Sequence, residues 1–134
     1  MSDSGPVHEF ATAIQNDDNE RAMATLSPDI RISEPEGLLY GGEYVGIDAC
    51  LRLFGVIFEN YRPEILSFRT VDAGDVTILL ANARWTSTRT ERSTDMKFCE
   101  IYTTEDGLIT SIEVFPKDSR KLHELALDAV QLTR

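Results

Sequence analysis

The chain has little of what holds metals, staples loops or spans membranes. Its 134 residues include only two cysteines and two histidines. Cys50 and Cys99 lie far apart and read as free, reduced thiols rather than a disulfide framework. His8 and His123 have no companion ligands at useful spacing, so no metal is implied. No apolar run approaches the roughly 20 residues of a membrane span. The opening MSDSGPVHEF lacks the basic and apolar regions of a signal peptide, and the cytoplasm is the expected compartment. Positive charge is scarce as well: 13 basic against 23 acidic side chains give a net charge of −10. Such a field repels phosphate backbones and anionic lipid, which argues against nucleic acid or membrane as partners. The glycines do not fall in the strand-to-helix pattern of a phosphate loop, so no nucleotide cofactor is implied.

What is present suits one domain over residues 1–134, with 42% hydrophobic residues and length enough for a core. Pro6 opens a helix whose apolar face is Val7, Phe10, Ala11 and Ile14. A short second helix is expected over Glu20–Leu26, stopped by Pro28, and a strand over Asp29–Glu34. After a glycine-rich loop, a helix capped at Gly46 or Asp48 runs to about Glu59, with Cys50, Leu53, Phe54 and Ile57 inward and Phe58 beside them. Asn60 to Pro63 reads as a turn. The rhythm then becomes that of strands, over 64–71, 76–89, 95–104 and 108–116, followed by a helix from Asp118 carrying Leu122, Leu125, Ala126 and Ala129. Ile78 and Leu80 oppose Leu79, Ala81, Ala83 and Trp85, which predicts a strand covered on both faces near its start. Helices, a run of antiparallel strands and a capping helix make an α+β fold.

Two glutamates stand out on apolar faces. Ile30, Ile32 and Glu34 alternate with Arg31 and Ser33, which turns Glu34 to the side of the isoleucines. A carboxylate desolvated there has a raised pKa and can carry a proton. Its other reading is structural, as an acceptor for loop amides around Gly37 to Gly42. Glu100 shares a face with Met96, Phe98 and Tyr102. A two-residue turn at Asp106-Gly107 would set it opposite Glu113, where like charges repel. A three-residue loop, Glu105-Asp106-Gly107, would set Glu100 opposite Ile112, Phe98 opposite Val114 and Met96 opposite Pro116. The second arrangement gathers the apolar residues and is the one expected.

Leu26-Ser27-Pro28-Asp29, Glu34-Pro35-Glu36-Gly37, Tyr40-Gly41-Gly42-Glu43-Tyr44-Val45-Gly46, Asp106-Gly107-Leu108-Ile109 and Phe115-Pro116-Lys117-Asp118 follow in an order that resembles the NTF2-like superfamily, including SnoaL-like polyketide cyclases and ketosteroid isomerases. The resemblance implies a cone-shaped curved antiparallel sheet, a barrel packed on N-terminal helices around a hydrophobic pocket, and a homodimer through the sheet. In the isomerases an acid before the proline of the first strand moves a proton, which is the place of Glu34; a second acid on the penultimate strand donates to the enolate, which is about the place of Glu100. Their first-helix tyrosine is missing here. The cyclases carry an acid on the last strand, where this chain has Val114.

The resulting expectation is a pocket for a small hydrophobic ligand, with no cofactor, Glu34 and Glu100 as catalytic acids, and a lining of Tyr40, Tyr44, Phe54, Phe58, Trp85, Phe98, Tyr102, Ile112 and Val114. For Phe54, Phe58, Trp85 and Phe98 a plain core role is the simpler alternative, and for Tyr40 and Tyr44, flanked by glycines, anchoring of the loop. The functional readings are a proton-transfer enzyme on a carbonyl compound, a non-catalytic ligand-binding or dimerisation module, and a polyketide cyclase.

Overall fold

The structure is a computed structural model and describes residues 5–127. Helix α1 (Pro6–Gln15) starts at its proline and buries Val7, Phe10 and Ala11, as the spacing predicts. Helix α2 (Asn19–Ala24) is capped by Asp18, whose side chain accepts from the Arg21 amide at 3.1 Å. It ends earlier than expected, because Leu26 already opens strand β1 (Leu26–Glu34). Pro28 does not stop the helix. It sits where the pairing of β1 slips between Leu26 and Arg31, an irregular stretch that tolerates a residue without an N–H.

The glycine loop holds a short strand, β2 (Gly42–Val45), paired antiparallel to β1 with Glu34 opposite Gly42. Helix α3 (Ile47–Asn60) follows, with Cys50, Leu53 and Ile57 buried, Phe54 half-buried and Phe58 46% exposed. Burial pushes the Cys50 thiol up to about 11, which leaves it inert. No turn separates α3 from the next strand. β3 (Tyr61–Asp72) starts at once, and its Pro63 is accommodated because β3 is an edge. Strands β4 (Thr77–Ser87), β5 (Ser93–Glu105) and β6 (Leu108–Pro116) form a meander. Helix α4 (Ser119–Ala126) is capped by Asp118, which accepts from the Lys121 amide at 3.0 Å. Ala129, expected on this helix, lies outside the described residues.

The sheet order is β2-β1-β6-β5-β4-β3. The sheet is therefore mixed rather than antiparallel throughout, since β1 runs parallel to β6. Alternation assigns a strand its faces, but it says nothing about which distant strand will lie beside it. The sheet is curled and open: β2 and β3 are its edges, and α1 and α3 lie in the hollow, with α3 touching β1, β2 and β3. Slips at Ile65/Ser67 and Thr103/Thr104 add local bends. The outer face is barer than expected, with Ile78 and Leu80 only half-buried while Leu79 is 3% exposed.

The β5–β6 hairpin corrects the expected register. Asp106 (φ 53°) and Gly107 (φ 78°) form a two-residue turn with Glu105 opposite Leu108. A bulge then shifts the ladder, and Glu100 lands opposite Val114, Tyr102 opposite Ile112 and Phe98 opposite Pro116. The clash with Glu113 is avoided by the bulge rather than by a longer loop.

Loop 35–41 depends on Gly41. A Cβ there would lie 2.3 Å from the Pro35 carbonyl oxygen, whereas one on Gly37 meets nothing within 4 Å. Gly41→Ala should therefore lower stability by about 2 kcal/mol and Gly37→Ala should be close to neutral, a contrast read by thermal melts; equal midpoints would contradict this account of the loop.

Candidate functional site

The concave side encloses a cavity of about 150 Å³. Its floor comes from two strands that the alternation turns inward. On β1, Ile30, Ile32 and Glu34 are 0%, 2% and 9% exposed in succession. Pro35 then breaks the strand and holds Glu34 at its tip. On β5, Met96, Phe98 and Tyr102 are buried, and Glu100 between them keeps surface that opens into the cavity. Ala81 and Ala83 on β4 line the hollow too, and their small side chains leave the space that larger ones would fill.

Both glutamates line this one cavity, as do Tyr40, Phe54, Phe58, Trp85, Phe98, Tyr102, Ile112 and Val114. Phe58 stands at the mouth rather than the floor, as its exposure shows. Tyr44, expected on the ligand, is not part of the lining. Its hydroxyl donates to the Tyr40 carbonyl oxygen at 2.9 Å and pins the loop that carries Tyr40 inward. Trp85 is sandwiched between Tyr40 (centroids 6.2 Å apart, planes at 8°) and Phe98 (5.6 Å, 17°). Tyr61 closes its edge at 5.1 Å and 83°.

The residues that sequence reasoning missed are mostly on this wall and at the rim. Tyr61 falls in a segment read as a turn, yet it is fully buried and its hydroxyl donates to the Leu122 carbonyl at 2.7 Å. Phe10 on α1 also lines the cavity; its place on the apolar helical face is visible in sequence, its aim at the pocket is not. Asp17 and Glu64 stand at the cavity edge, and nothing in their local pattern marks them.

Among the described residues the Glu34 Oε1 is enclosed without a hydrogen-bond partner. The loop amides do not serve it: Leu38 N–H donates to the Pro35 carbonyl at 3.1 Å and Gly41 N–H to the Leu38 carbonyl at 2.9 Å. An unpartnered buried carboxylate holds its proton. Burial, and after it the charge of Glu100, pushes the Glu34 carboxyl up to about 9. Burial raises Glu100 as well, against a lowering by the Tyr102 hydroxyl, which donates to its Oε1 at 2.6 Å. The Tyr102 and Tyr40 phenols are raised by burial first and by the nearby carboxylates second, so both remain hydrogen-bond donors at physiological pH. The Trp85 Nε1 is a further enclosed donor without a partner among the described residues. Among the described residues no group of three His, Cys, Asp or Glu side chains could hold a metal. The site holds two electrostatically coupled acids in one cavity.

Comparison with known proteins places this geometry. The SnoaL-like domain profile matches residues 7–112. The chain belongs to the SnoaL-like family. Solved structures agree in fold: an NTF2-like protein of unknown function from Burkholderia pseudomallei superposes with a TM-score of 0.83 at 22% identity, over 92% of this chain and 95% of that one. TerC, co-crystallised with polyporic acid, gives 0.81 at 21% identity over 90% and 95%. A protein provisionally named a polyketide cyclase, from Pseudomonas putida, gives 0.80 at 12% identity over 93% and 98%. No curated protein matches this SnoaL-like chain. Among its described residues no helix is long and apolar enough to cross a membrane.

The raised Glu34 pKa makes stability depend on pH with a definite sign. The unfolded carboxyl ionises near 4.5 and the folded one near 9, so the folded state binds the extra proton between them. Its contribution is complete below 4.5 and is lost as pH rises through 9. Between pH 5 and pH 8 the wild type should lose on the order of 3 kcal/mol relative to Glu34→Gln, measured by denaturation at each pH. Parallel profiles would show that Glu34 is solvated.

Proposed function

We propose that this SnoaL-like protein moves a proton on a small hydrophobic carbonyl compound, without a cofactor, in the manner of a double-bond isomerase. The observation that carries the reading is the pair of glutamates in one cavity, one enclosed without a partner among the described residues and the other held by a tyrosine. The Tyr102 hydrogen bond favours the ionised form of Glu100 against its burial, while Glu34 has no such donor among the described residues and is pushed up to about 9. This exchanges the roles that the resemblance implies. Glu100 is the base that takes a proton from the carbon next to the carbonyl. Protonated Glu34 donates to the carbonyl oxygen as it becomes an enolate, and Tyr40, which also lines the cavity, is within the same wall. Glu100 then returns its proton to the far carbon of the conjugated system, and the double bond has moved.

Size narrows the substrate. A cavity of about 150 Å³ is the volume that holds a single benzene-sized ring. It is well below the roughly 300–1,000 Å³ of drug-sized sites, so a four-ring substrate would leave most of itself outside. Cyclase chemistry lacks its acid: Val114 faces the cavity on β6 and Glu113 is exposed. A non-catalytic ligand carrier is the second reading, favoured by Phe10, which brings no donor from α1.

The test is conversion of 3-cyclohexen-1-one to its conjugated isomer, followed by ultraviolet absorbance. Glu100→Gln and Glu34→Gln should each lower the rate by about 100-fold or more. Wild-type rates in both would leave the carrier. We also place a second copy of the chain on the outer sheet face, where Leu80, Cys99 and Phe115 form one row across β4, β5 and β6 and Phe115 is 47% exposed. Light scattering should show a dimer that Phe115→Glu dissociates; a monomeric wild type would refute the placement.

A further inference from the structure

The charge distribution around the cavity is one-sided. Four carboxyl side chains line it, Glu34 and Glu100 at the floor and Asp17 and Glu64 at the edge, and among the described residues of the lining there is no lysine, arginine or histidine. The rest of the chain adds to this field, with a net charge of −10. The floor is not simply a solvated acidic patch. Glu34 is 9% exposed and its Oε1 has no partner among the described residues, so the cavity holds a carboxyl oxygen whose hydrogen-bonding capacity is unused, beside Glu100.

An anionic ligand entering here would lose its hydration and meet only negative charge or neutral donors. Apolar walls strengthen both effects, because charges interact more strongly where water is excluded. A positively charged nitrogen loses hydration too, but it regains a carboxylate partner at the floor and passes two more at the edge. The proposed chemistry makes the same demand. An enolate carries negative charge, and the lining offers hydroxyl, indole and carboxyl donors to it but no cation. A protonated nitrogen on the substrate would balance that charge and make the neighbouring C–H more acidic.

We propose that the cavity selects a one-ring compound bearing a protonatable amine, and that the carbonyl substrate of the proton transfer is of this class rather than a carboxylate or phosphate ester. The statement about substrate rests on the proton-transfer reading; the selection for amines is a property of the cavity itself.

Trp85 is the sole tryptophan and lines the cavity, so its fluorescence reports occupancy. Benzylamine, benzyl alcohol and benzoate are three one-ring probes that differ in charge. Titrated at pH 7 in low salt, benzylamine should bind about tenfold more tightly than benzyl alcohol, and benzoate most weakly. The amine preference should shrink in Glu34→Gln/Glu100→Gln. It should shrink separately in Asp17→Asn/Glu64→Gln, whose changes lie at the edge and leave the buried pair intact. Benzoate binding as well as benzylamine overturns the inference, as does an amine preference unchanged in both variants or no response to any probe. Enone isomerisation without amine preference would overturn only this inference. Amine preference without isomerisation would leave the selection standing and remove the proton-transfer reading.

Discussion

Removal of two carboxyl groups from water is the constraint around which this molecule is arranged. Each ionised carboxylate would be costly in an apolar interior, and proteins meet that cost by supplying a counter-charge, supplying donors, or leaving the proton on. The cavity uses the last two. Glu100 receives the Tyr102 hydroxyl, while the enclosed Oε1 of Glu34 receives nothing among the described residues and burial pushes that carboxyl up to about 9. Two neighbouring acids of the same type thereby acquire different proton affinities from surroundings alone. In the proposed reaction that difference gives the acid pair its direction, one member to take a proton and the other to hold one.

The rest of the architecture maintains this separation from solvent. Helices α1 and α3 close the hollow of the sheet, and the stack of Tyr40, Trp85 and Phe98 makes one wall rigid. Tyr40 reaches that wall because the loop that carries it turns tightly at Gly41 and is tied back by Tyr44. The alanines at 81 and 83 matter through what they leave empty. A hollow among large rings is not a packing fault, since the same sheet packs its remaining inner positions closely.

Much of the fold could be read from local pattern. Alternation in β1 placed Glu34 with Ile30 and Ile32, and alternation in β5 placed Glu100 with Phe98 and Tyr102; both sides of that reading agree with the burial observed. Asp118 as a helix cap was equally visible, because an N-cap is a local hydrogen bond. The errors share a cause as well. Pro28, the turn expected over Asn60 to Pro63 and the loop that turned out to contain β2 were judged by propensity, which tertiary pairing overrode. The hairpin register differs from the expected one, with Glu100 opposite Val114 instead of Ile112, because a bulge at Thr103/Thr104 has no distinctive residue to announce it.

Residue order alone determined the faces: which side chains of each strand and helix turn inward follows from a period of two or of 3.6, set by backbone geometry. It also determined the sign of the electrostatic field, since charge is a matter of composition. Only the tertiary structure decided that β1 would lie parallel to β6, that the two glutamates would share one cavity, and that a tyrosine would serve one of them and not the other. Those are relations between segments tens of residues apart, and no local periodicity carries the information on how far a sheet curls or what it closes upon.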